Sequence, residues 1–135
     1  MTSTTLQRSI RLTPSGEVTD TGIEAGGDGV RAAIGCDRFD VISLDHAIDL
    51  WVDDEGLLVA EPRLNLPATL LAHALGVQTA VFGIAIALSV DPTTGDSTGL
   101  SDPQARRVQH ALIAPRQEVT AAVARTLSCL IAPRR

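Results

Sequence analysis

The stretch AVFGIAIALSV, Ala80 to Val90, constrains the fold more than any other part of the chain. In an extended conformation its residues divide by alternation into two unlike faces. Phe82, Ile84, Ile86, Leu88 and Val90 make a face of large side chains, and Val81, Gly83, Ala85, Ala87 and Ser89 make a mostly small one. A strand that is apolar on both faces has to be covered on both, so the pattern predicts the central strand of a sheet. The small face predicts a helix lying close against that sheet. The run is also too short for a transmembrane helix, which needs about 18 apolar residues.

Turn and cap signals divide the rest of the chain. Ser9–Thr13 and Glu17–Thr21 flank Pro14-Ser15-Gly16 and read as a hairpin. Asp28 is placed to cap a short helix from Gly29 to Ile34, ended by Gly35. Phe39–Leu44 reads as a strand. In Ile48–Val52 the alternation is strict: Ile48, Leu50 and Val52 face one way, and Asp49, Trp51 and Asp53 the other. Asp54-Glu55-Gly56 supplies a turn, with Leu57–Ala60 expected to return as the partner strand. Asn65 precedes Leu66-Pro67 and caps a helix whose apolar stripe is expected at Leu66, Leu70, Leu71, Ala74 and Leu75, ending at Gly76. Ser101 and Gln104 have capping-box spacing and open a helix to about Leu112. Pro115 then restarts a helix to Ile131, with Val119, Val123, Leu127 and Leu130 as its stripe.

These elements predict an α+β fold: a small single-domain mixed or antiparallel sheet with hairpins, packed by three to four helices. Residues 1–5 read as a disordered tail, 6–114 as the domain, and 115–135 as a C-terminal helix packed on it or extending it. A chain of 135 residues can bury roughly two-thirds of its unfolded surface, enough for one core. That core must be aliphatic, because apolar residues are 44% of the chain but aromatic ones only 2%.

Charge narrows the partners. The net charge is -5, and the 11 basic residues are all Arg and scattered. Neither a basic surface nor stacking aromatics are offered, so direct nucleic-acid binding is not expected. Cys36 and Cys129 stand apart without a zinc-type spacing. The reading is a cytoplasmic protein with reduced thiols, no cofactor and no membrane partner; a homodimer is left open.

Several segments in order carry a resemblance. A short helix leads into a strand, AAIGCDRFDVISL. A strand meets an acidic turn, DLWVDDEGLL, and an Asn-led helix follows, NLPATLLAHAL. A glycine-containing strand, VFGIAIAL, precedes LSDPQ. This set, covering about residues 30–104, resembles the small proteins catalogued as domain of unknown function 3846. The resemblance implies an α+β fold and a setting in phages, plasmids and actinobacterial genomes. It implies no reaction. Gly35-Cys36 departs from the more usual pair of glycines, so Cys36 is not carried over as a site residue. The helix from Arg116 onward falls outside the pattern.

Candidate site residues come from the residues themselves. Asp45, His46, Asp49, Asp53, Asp54 and Glu55 bring acids and an imidazole close together in sequence, the groups that metal or acid/base chemistry uses. A solvated hairpin face accounts for the same residues. Asp49 and Asp53 would lie on the order of 13 Å apart along a strand, too far for one ion to bridge. Trp51, between Asp49 and Asp53, is a candidate anchor for a partner or a lid on the sheet; packing under the C-terminal helix accounts for it equally well. Asn65 is either a cap or a ligand-contacting amide. His73 reads as a packing residue and His110 as exposed. The expectation is a non-enzymatic accessory protein of phage or plasmid type that binds a host protein or small ligand through Asp49, Trp51, Asp53 and Asn65. The alternatives are a metal-dependent hydrolase using segment 45–55, or an acidic DNA mimic.

Overall fold

The computed structural model of the protein describes residues 6–36, 38–54, 61–113 and 115–131. Strands β1 (Leu6–Leu12) and β2 (Val18–Glu24) form the first hairpin, and helix α1 (Gly27–Ile34) follows. Strands β3 (Phe39–Leu44) and β4 (Ile48–Asp53) form the second hairpin. Helix α2 (Leu66–Ala74), strand β5 (Ala85–Val90), the two-residue strand β6 (Ser97–Thr98) and helices α3 (Asp102–Ile113) and α4 (Gln117–Ile131) complete the order.

All strand pairings are antiparallel, in the order β2-β1-β5-β4-β3. The most apolar strand is therefore central, as its two faces require. β6 pairs with Ser89 and Val90 beyond the point where β1 leaves β5. Nothing in the polar run DPTTGDSTG signalled it.

The two faces of β5 sort the helices. Ala85 and Ala87 face the larger core, where α2 contributes Ala68, Leu71, Ala72 and neighbouring Leu75, and α3 contributes Ala105 and Val108. Small side chains let this layer come close to the sheet. α4 packs on α2 and buries Val123. Ile86 and Leu88 face a second core closed by Val30 and Ile34 of α1. Ile86 is fully buried between Arg11 of β1 and Trp51 of β4 in the strand register. Ile86→Ala is therefore expected to cost about 2–5 kcal/mol in a urea unfolding experiment.

Four expectations need correction. β5 begins at Ala85 rather than Ala80, because Gly83 has φ 81°, a left-handed conformation that an extended strand cannot contain. Before it, Phe82 makes only an isolated bridge to Leu64. α1 begins at Gly27 with Gly26 as N-cap, and Asp28 lies within the first turn, paired with Arg31 rather than capping. The buried stripe of α2 is Ala68, Leu71, Ala72 and Leu75, while Leu66 is 45% exposed. The side of β4 expected to be polar is covered by α1. The expected return strand, Leu57–Ala60, and the tail 1–5 lie outside the described residues.

Other local signals are realised as read. The Ser101 backbone N–H donates to Gln104 Oε1 at 3.0 Å, and the Gln104 N–H donates to Ser101 Oγ at 3.3 Å. Gln104 also donates from Nε2 to the carbonyls of His46 and Ala47, at 3.0 and 3.1 Å. Those two residues have φ values of 66° and 56°, so α3 braces a β3–β4 turn whose backbone is otherwise disfavoured.

Candidate functional site

The four candidate residues are not brought together. Asn65 is completely buried at the start of α2. Its Oδ1 accepts from the Ala68 N–H at 3.0 Å, and its Nδ2 donates to the carbonyls of Leu12 and Gly83 at 2.9 and 2.8 Å. One side chain thus caps α2 and ties it to β1 and to the lead-in of β5. Three bonds occupy most of its hydrogen-bonding capacity.

Trp51 is half-buried against Phe39, with ring centroids 4.9 Å apart and an edge-to-face angle of 62°. It belongs to the α1-side core with Ile86 and Leu88. Its indole N–H is buried without a hydrogen-bond partner among the described residues. The ring's position is that of a lid over the second core.

Asp49 is 8% exposed, on the same side of β4 as Trp51. Burial pushes its carboxyl above the ordinary aspartate range, against a smaller lowering from the Ser43 hydroxyl. A carboxyl whose folded-state pKa is raised favours the fold when protonated, and that contribution is lost as pH rises through the folded pKa. Asp49→Asn is therefore expected to raise the melting temperature at pH 7. The gain should vanish near about pH 3, where wild-type Asp49 is itself protonated. A melting-temperature series across that range checks the sign.

The acidic segment is divided by the strand that carries it. Asp45 and His46 lie in the turn before β4, and Asp53 lies at its far end, roughly 17 Å away at strand rise. Among the described residues, no group of three or more His, Cys, Asp or Glu could hold a metal ion. His73 is 9% exposed, its Nε2 3.0 Å from the Thr79 carbonyl, and His110 is exposed, as read.

Asp53 has the more informative position. It lines two open cavities at the end of the sheet where β4 finishes. The first, of about 580 Å³, lies on the α2–α4 side between Val52, Val81 and Phe82 and the residues Thr126 and Cys129 of α4. The second, of about 420 Å³, lies on the α1 side, where Arg11, Glu17, Glu61 and Arg63 surround Gly83. Of these lining residues, Asp53 was a candidate on sequence grounds and the others were not. Arg11 and Glu17 flank one turn and Glu61 and Arg63 flank Pro62, a pattern that any solvated turn shares.

A family model described as Domain of unknown function (DUF3846) matches residues 7–113. The chain belongs to the DUF3846 family. The match extends beyond the segments that carried the resemblance, taking in the N-terminal hairpin and all of α3. It leaves out α4, so Thr126 and Cys129 add to the first cavity a wall from outside the DUF3846 region. The residues of the second cavity all lie within that region. No curated protein and no solved structure matches the chain. Among the described residues, no helix is long and apolar enough to cross a membrane.

Proposed function

We propose that this protein is a non-enzymatic accessory protein of phage or plasmid type that binds a small ligand at the end of its sheet. One observation carries the reading: Asp53, at the end of β4, lines both cavities. Their volumes, about 580 and 420 Å³, fall in the range that small-molecule sites occupy. The genomic setting is carried by the resemblance that the family match supports.

A thermal-shift screen against a broad set of bacterial metabolites tests the reading. A ligand at 100 times its Kd adds about 2.7 kcal/mol to stability, which moves the melting temperature by several degrees. Asp53→Arg, which puts a bulky cation at the one residue that lines both cavities, is expected to abolish that shift. A full set that leaves the melting temperature unchanged would overturn the reading. So would a binder to which Asp53→Arg responds as the wild type does.

A further inference from the structure

The second cavity is lined by charges of both signs. Arg11 and Arg63 line it together with Glu17, Asp53 and Glu61. Among the described residues the ion pairs are Arg8–Asp20, Arg8–Asp102 and Arg31–Asp28, and none involves Arg11, Arg63, Glu17 or Glu61. Arg11 donates from Nε to the Ala33 carbonyl near the end of α1, at 3.3 Å. That bond anchors the guanidinium, and its two terminal nitrogens have no partner among the described residues. A guanidinium held this way presents a fork matched to a carboxylate.

The walls are held in place independently of any occupant. On one side, the turn after β1 is locked by Thr13 N–H to Glu17 O and Gly16 N–H to Thr13 O, both 3.0 Å, and by Glu17 N–H to Thr13 Oγ1 at 3.1 Å. On the other, Gly83 N–H donates to the Arg63 carbonyl at 2.9 Å while Asn65 holds the Gly83 carbonyl. These bonds fix the backbone that carries the charges, so a ligand meets a preformed cleft and orders only the side chains that grip it.

We infer that this cavity binds a small zwitterion of the α-amino-acid class, its carboxylate on Arg11 and Arg63 and its ammonium on Glu17 and Glu61. The inference rests on the small-ligand reading and names the chemistry of one of its two cavities. Two unlike charges on one small molecule supply at once the partners that the cavity's own residues withhold from each other.

Isothermal titration with glycine, L-leucine, L-glutamate and L-arginine tests this, with acetate and methylammonium as single-charge controls. At least one amino acid is expected to bind saturably and about tenfold or more tighter than either control. Arg63→Gln and Glu61→Gln change exposed side chains, so both should keep the wild-type melting temperature and weaken that amino acid about tenfold or more. Amino acids that bind no tighter than acetate or methylammonium overturn the inference, as does wild-type affinity in both variants. A single-charge or neutral ligand found in this cavity by the metabolite screen also overturns it, yet leaves the small-ligand reading standing. A screen without any binder removes both.

Discussion

Asn65→Ala is expected to remove on the order of 3–9 kcal/mol of stability, at about 1–3 kcal/mol for each of three polar groups left without a partner. The groups are the Ala68 N–H and the carbonyls of Leu12 and Gly83, all bonded to this one side chain. Asn65 is 0% exposed, so water does not replace the lost bonds without entering the core. Domains of this kind have roughly 5–15 kcal/mol in total, so the variant should sit near the edge of folding. Asn65→Ser keeps an oxygen for the Ala68 N–H but loses both donations, and should fall between. Urea denaturation measures the series. A loss under about 1 kcal/mol for the alanine variant would mean that Asn65 is an ordinary helix cap and not a three-way tie.

Gly29→Ala sets two effects against each other. Helix propensity alone favours the substitution by about 1 kcal/mol. Sterics oppose it: a Cβ at Gly29 would lie 1.9 Å from the Glu24 carbonyl oxygen and 2.7 Å from its carbon. Both atoms belong to the backbone at the end of β2, which the β1 ladder holds in place. α1 would have to back away and draw Val30 and Ile34 off Ile23, Ile86 and Leu88. A net loss of about 2–3 kcal/mol is expected, the upper part of the overpacking range. Trp51 packs against the same cluster, so its emission should shift to the red and become easier to quench in the variant. A stabilised variant with unchanged emission would show that α1 has room to spare.

Much of the fold was legible from local signals. Ser101 and Gln104 are three residues apart and meet as a capping box; the apolar run ending at Val90 is central; Asn65 caps α2. What escaped was long-range. The bonds of Asn65 to Leu12 and of Gln104 to His46 cross 53 and 58 residues of chain, and nothing near either side chain announces them. Alternation in β4 assigned its faces correctly. It could not say that α1 would cover the face carrying Asp49 and Trp51, because coverage depends on where that helix, two elements earlier, comes to rest. Gly83 adopts its left-handed φ in the middle of an apolar run, so composition hid the break.

The candidate site followed the same division. Asp53 stood out within an acidic segment, but the meaning of its position comes from two cavities assembled from opposite ends of the chain. Arg11 and Glu17 reach the second cavity from the first hairpin, and Glu61, Arg63 and Gly83 from the approach to β5. Asp49, its neighbour in that segment, is buried in the sheet instead.

Ligand binding at the Asp53 end of the sheet can be located by amide chemical-shift mapping of the isotope-labelled protein, using the compounds that shift its melting temperature. Saturable perturbations are expected at Thr13–Glu17, Asp53, Arg63 and Thr79–Ile84. The indole N–H of Trp51, the single Trp of the chain, gives one resolved signal on the second core, and that signal should stay nearly still. Perturbations centred on Trp51 and Phe39, with the Asp53 end unmoved, would place binding elsewhere and rule out the Asp53 end as the site.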